Sequence, residues 1–90
     1  MLDFKWDPGK ARANGQEHGV TFFEASEVFD GDRSSSVRDP DHSLDEERYL
    51  IFGMSEGGRH LVVSYTERSG RIRPISARPM TPRERRAYEQ

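Results

Sequence analysis

Between residues 48 and 78 three strand-like stretches are separated only by short links, one turning at Glu56-Gly57-Gly58 and the other at Arg68-Ser69-Gly70. Links this short cannot carry a crossover, so the strands they join must run antiparallel, as a meander over residues 48 to 78. The first stretch, Arg48 to Met54, is a run of Tyr, Leu, Ile and Phe without polar alternation, which predicts a central strand covered on both faces. His60 to Glu67 and Arg71 to Arg78 supply the other two. The remainder of the chain has to cover this sheet.

Helix signals lie on either side. Asp7 is placed to cap a helix that has Pro8 at its first position and Gly19 as its stop. Thr21-Phe-Phe-Glu24 has the spacing of a capping box, and Phe22, Ala25, Val28 and Phe29 form an apolar stripe behind it. Thr81-Pro82-Arg83-Glu84 repeats the same logic for a terminal helix. Two shorter strands are expected, one over Leu2 to Trp6 and one over Ser34 to Arg38, the latter followed by a polar loop through Asp39-Pro40-Asp41. Together these predict an α+β fold: a small antiparallel sheet of four to five strands, two N-terminal helices and one C-terminal helix. Ninety residues suffice for a single domain, spanning 1–90, and with 32% hydrophobic and 33% charged residues its core must be thin.

The formal net charge of -2 conceals a division. Residues 1–58 hold 6 Lys and Arg against 13 Asp and Glu, while residues 59–90 hold 8 Arg against 3 Glu. Two arrangements would produce this: a basic face directed at a phosphate backbone or an acidic protein, or halves that neutralise each other across the fold. Without cysteine, neither a disulfide nor a thiolate metal site can form, and no zinc-type spacing is present. There is no P-loop, no GxGxxG and no nucleophile elbow, so the sequence offers no bound cofactor or metal. The opening residues lack the pattern of a signal peptide and no apolar run is long enough to span a bilayer, which makes the cytoplasm the expected location and a membrane partner unexpected.

Strand alternation puts Arg71 and Arg73 on one face of the last strand and Ile72 on the other, with Arg78 on the opposite parity from Arg73. Pro74 cannot donate to a ladder and belongs at an edge or a bulge, and one inserted residue there would bring Arg78 round to the side of Arg73. Guanidinium groups suit phosphate because they stay charged and offer a planar fork of donors. Cleaving RNA without a metal further requires a base for the 2′-hydroxyl and an acid for the leaving oxygen, for which His18, His42 and His60 are available, with Asp and Glu as other bases. Tyr49, Phe52, Tyr65 and Tyr88 are candidates for base stacking or for the core.

Phe4-Lys-Trp-Asp-Pro8 with Lys10 and Asn14, His18-Gly-Val20, Phe23-Glu-Ala25, Val28-Phe-Asp30, Asp41-His-Ser43, Glu47-Arg48, Gly53, Arg71-Ile-Arg-Pro-Ile-Ser-Ala-Arg78, Arg83-Glu-Arg85 and Tyr88 together resemble the BrnT toxins over nearly the whole chain. The resemblance implies a RelE-like fold, ribosome-independent RNA cleavage within a type II toxin-antitoxin system, neutralisation by a BrnA-like antitoxin, and contact with operator DNA only through the antitoxin complex. Carried over by residue, it marks Lys10, His18, Arg48, Arg73 and Arg78 as the positions to test. Arg73 and Arg78 are then expected to act as phosphate and transition-state ligands, His18 as an acid or base, and Lys10, Arg48 and Arg71 as substrate-binding cations. Two departures bear on activity: Glu17 stands where the family commonly has Lys before His-Gly-Val, removing a cation from beside His18, and Pro74 and Pro79 flank Ser76-Ala77-Arg78. The competing function is a non-catalytic interaction or co-repressor subunit that uses the same basic face.

Overall fold

The computed structural model describes residues 2–42 and 46–90, and of His42 the backbone alone; Ser43, Leu44 and Asp45 of the expected loop lie outside the described residues. Its elements in chain order are α1 (Pro8–His18), α2 (Phe22–Glu27), β1 (Ser35–Arg38), β2 (Tyr49–Met54), β3 (His60–Arg68), β4 (Arg71–Pro79) and α3 (Pro82–Glu89). The four strands form one antiparallel sheet in the order β1-β2-β3-β4, so the meander read from the short links is present, with β1 added at its start.

The caps account for the helix boundaries. Asp7 accepts the backbone N–H of Gly9 at 2.8 Å, and Gly19 ends α1 with φ 68°, in the left-handed region where glycine costs nothing. Thr21 accepts from the N–H of Glu24, but only half of the expected box forms there, because the Glu24 carboxylate turns away to Arg59 and Ser55. At α3 the box is reciprocal: Thr81 accepts from the Glu84 N–H and Glu84 accepts from the Thr81 N–H. The apolar stripe of α2 is buried through Phe22, Ala25 and Val28, the last in a 3-10 turn that continues the helix, while Phe23 points to solvent.

On the helix-facing side of the sheet Ile51, Leu61, Val63, Tyr65, Ile72 and Ala77 pack against Val20, Ala25 and Val28. The strand covered on both faces is β3, not β2 as its composition suggested: Val62, on the outer side, is 3% exposed, whereas the outer residues of β2, Leu50 and Phe52, are half-buried. A strand with two sheet neighbours is not thereby covered on its faces, and α3 lies over only part of the outer side. Gly53 of β2 faces the core so closely that an added Cβ would stand 2.9 Å from Val28 and 3.2 Å from Ser34. Only a residue without a side chain lets the turn after α2 approach the sheet there.

The expected first strand is reduced to a bridge. Phe4 pairs in parallel with Ile72, through Ile72 N–H to the Asp3 carbonyl at 2.8 Å and Lys5 N–H to the Ile72 carbonyl at 3.0 Å. Five residues further along β4, at Ala77, the edge is closed differently. Buried Asn14 of α1 accepts the Ala77 N–H at 3.0 Å and donates to the Ala77 carbonyl and to the Val20 carbonyl, each at 2.9 Å. A side-chain amide thus replaces a neighbouring strand at the outer edge of β4.

The terminal helix buries none of its residues. It is tied to the outer side of the sheet by Arg78, whose guanidinium donates to both carboxylate oxygens of Glu84 at 2.7 and 2.9 Å, and by Tyr88, edge-on to His60 with ring centroids 5.8 Å apart. The Arg78 hydrogen bonds, helped by the Thr81 N–H and opposed by partial burial, hold the Glu84 carboxyl at about 2, below its ordinary 4.5.

Two outcomes are expected. Asn14→Ala strands three buried backbone groups, each worth about 1–3 kcal/mol when unsatisfied, and should lower the unfolding free energy in urea by about 3 kcal/mol or more; a loss under about 1 kcal/mol would contradict the edge-closing role. Because the carboxyl of Glu84 is depressed in the folded state, its contribution is complete above pH 4.5 and is lost as pH falls toward about 2. Protection of the α3 amides, taken relative to their intrinsic exchange rate at each pH, should fall across that window in the wild type and stay level there in Glu84→Gln, which removes the titration.

Candidate active site

The backbone near Pro74 is irregular in the way its chemistry demands. Ser76 pairs with Ser64 but Pro74 pairs with Tyr65, so Ile75 is an extra residue on β4. Pro74 has no N–H to contribute, and the break in the ladder falls at its side. Arg73 then stands opposite Thr66 and Arg78 opposite Val62, positions of equal parity on β3. Both arginines therefore lie on the outer side of the sheet, as a single inserted residue requires.

The same bulge forms one wall of a small cleft of about 70 Å³. Trp6, Asp7 and Lys10 enter it from the start of α1, Glu46 and Arg48 from the approach to β2, Thr66 and Arg68 from the end of β3, and Arg73, Pro74 and Ile75 from the bulge. Each element is fixed by a local interaction. The indole of Trp6 stands edge-on against buried Phe22, with centroids 6.0 Å apart. The Thr66 hydroxyl donates to the Glu47 carbonyl at 3.0 Å and so fastens the segment carrying Glu46 and Arg48 to β3. Arg68 donates from Nε to Glu46 at 2.7 Å.

Of the four cations and two carboxylates around the cleft, Asp7 is engaged as the cap of α1 and Glu46 by Arg68. Among the described residues no carboxylate is within ion-pair range of Lys10 or Arg73. The cleft is thus a polar recess with an excess of positive charge from rigid elements, which suits a phosphate group entering from solvent.

Lys10, Arg48 and Arg73, selected from the sequence, converge here; Arg71, His18 and Arg78 do not line the cleft. Arg71 lies at the β3-β4 turn, 3.5 Å from Asp3. His18 is eight residues beyond Lys10 on α1, about 12 Å along the helix axis, with Nε2 at 3.7 Å from Glu17. Arg78 shares the face of Arg73 but is held by Glu84. Trp6, Glu46, Thr66 and Arg68 were not selected from the sequence. Thr66 and Arg68 pair with Arg73 and Arg71 in the regular register that runs out of the Ser69-Gly70 turn, before the bulge, which is the signal that would have found them; Glu46 carried none beyond its charge.

Comparison with known proteins agrees with this architecture. The sequence model of the family described as the ribonuclease toxin BrnT of type II toxin-antitoxin systems matches residues 6–84. No curated protein matches the chain. Among solved structures, the crystal structure of the Brucella abortus ribonuclease toxin BrnT superposes with a TM-score of 0.66 at 20% sequence identity, covering 90% of this chain and 99% of that one, and at that identity the likeness is one of fold. With the family pattern running from the Trp6 wall of the cleft to the Glu84 that binds Arg78, the chain belongs to the BrnT family of type II ribonuclease toxins.

Proposed function

We propose that the chain is an endoribonuclease that holds the scissile phosphate of RNA in the cleft between α1, the approach to β2 and the β4 bulge. The observation that carries the proposal is the convergence of Lys10 and Arg73, neither with a carboxylate partner among the described residues, beside Arg48 on a recess with room for little more than a phosphate. In this reading Arg73 and Lys10 bind the phosphate oxygens and stabilise the charge that grows on them when the 2′-hydroxyl attacks. Glu46 is the cleft carboxylate not engaged by a helix cap and is the group to accept the 2′-hydroxyl proton. His18, at the other end of α1, has no part in the reaction, and Arg78 acts by fixing α3.

Cleavage needs no ribosome and no metal in this reading: Arg73 and Lys10 hold the phosphate oxygens, Glu46 takes the 2′-hydroxyl proton as the 2′-oxygen forms its bond to phosphorus, and the bond to the 5′-oxygen breaks as that oxygen takes a proton from solvent water. A toxin of this family works against an antitoxin; the partner proposed here is a BrnA-like protein, which also carries the complex to operator DNA, all within the cytoplasm.

Purified chain is expected to shorten naked RNA in the presence of a chelator. Arg73→Ala and Lys10→Ala should each reduce the rate about a hundred-fold or more, and each should lower the dependence of RNA affinity on salt by about one counterion. Glu46→Gln should lower kcat while leaving RNA affinity close to wild type, and His18→Ala should be unaffected. If the wild type binds RNA without shortening it, the chain is the non-catalytic subunit instead; if His18→Ala abolishes cleavage while Arg73→Ala spares it, the cleft has been misassigned.

A further inference from the structure

The outer side of the sheet has a second feature, away from the cleft. A groove of about 320 Å³ runs between α3 and the β1-β2 pair, with Phe52, Ala87 and Tyr88 as its apolar surface and Ser35, Arg83 and Glu84 at its margins. The pairing of β1 with β2 sets Val37 beside Leu50 and Ser35 beside Phe52 on this side, and Met54 follows on the same parity. Val37 is 49% exposed and Met54 40%. An apolar strip along one sheet face, with a helix that buries nothing lying at its border, is a surface shaped for another chain.

The charges around the groove select that chain. Glu84 is bound by Arg78, and Glu89, at the far end beside His60 and Tyr88, is within 3.6 Å of Arg85. The cations are not so engaged: among the described residues neither Arg83 nor Arg33, which stands next to Met54 at that far end, has a carboxylate within ion-pair range. The margins therefore present unpaired guanidiniums around an apolar floor. The other edge of the sheet is unavailable to a partner strand or helix, since Asn14 and the Phe4 bridge occupy the free side of β4.

We infer that this groove is the docking surface for the antitoxin, and that the segment seated there is amphipathic and acidic: apolar side chains against Phe52, Tyr88, Val37 and Met54, carboxylates toward Arg33 and Arg83. The inference rests on the family assignment, which makes an antitoxin the partner, and is independent of which residues cut RNA. A segment seated there lies on the same side of the sheet as Arg73 and against the helix that holds Arg78, so it obstructs the approach of a long polyanion without entering the cleft.

The test uses the full-length chain with its cognate antitoxin, and reads two quantities separately: affinity for the antitoxin and RNA cleavage by the free toxin. Val37→Glu and Arg83→Glu, both at exposed positions, should weaken antitoxin binding about ten-fold or more each and restore growth arrest in co-expressing cells, while free cleavage stays at the wild-type level. Lys10→Ala should show the reverse, losing cleavage and keeping the antitoxin. Antitoxin affinity unchanged in both groove variants overturns the inference, as does a loss of RNA binding in them, which would make the groove part of the RNA track. If no protein of the series cleaves RNA but the groove variants still lose the antitoxin, the nuclease reading fails and the docking surface stands.

Discussion

One buried amide, that of Asn14, holds the two parts of the molecule in register. Its oxygen and nitrogen meet both backbone groups of Ala77, and its second N–H reaches the carbonyl of Val20 at the turn into α2. A helix otherwise anchored by few apolar side chains is thereby fixed along the strand that carries the arginines. Lys10, one helical turn before Asn14, is brought to the same strand as Arg73, which lies four positions before Ala77. Among the described residues no buried side-chain N or O atom is left without a partner, so in this thin core polar pairing does part of what apolar burial does in larger domains.

The arginine-rich last third illustrates how charge is apportioned. Arg59 reaches Glu24, Arg68 reaches Glu46 and Arg71 reaches Asp3, so three of its cations neutralise the acidic part of the chain across the fold. Arg78 and Arg85 find Glu84 and Glu89 within the basic part itself. The neutralisation envisaged from composition is thus present for these five arginines, and the cations left over are a small set, of which Arg73 and Arg83 belong to different places. Net charge by segment could not make that distinction, because it depends on which side chains meet across strands.

The sheet, its order and the three helices could be read from local signals, since short turns, proline at the first helical position and the Thr-to-Glu spacing each act over a few bonds. Even the bulge followed from a local fact, the missing N–H of Pro74. What could not be read was long-range. Asn14 reads as a mediocre helix residue until Ala77 is placed 63 positions away beside it, and Glu24 is half of a capping box until Arg59 takes its carboxylate. The cleft failed to show for the same reason: its walls come from four separated parts of the chain, and a histidine such as His18 shows its chemistry in sequence but not its distance along α1 from Lys10.

The extra residue at Ile75 works as a phase shift. On either side of it the strand keeps its ordinary two-residue rhythm, but the residues beyond are displaced by half a period, so that five positions separate two arginines that nevertheless face the same way. A ring that lacks a hydrogen-bond donor cannot rejoin the ladder, and the shift is therefore locked rather than merely preferred. Were Pro74 exchanged for a residue with an N–H, the strand could close up by one place, and the guanidinium of Arg78 would swing from the solvent side into the apolar layer now held by Ala77. Loss of one ring would then be felt first as a misplaced charge in the core, at a distance from the ring itself.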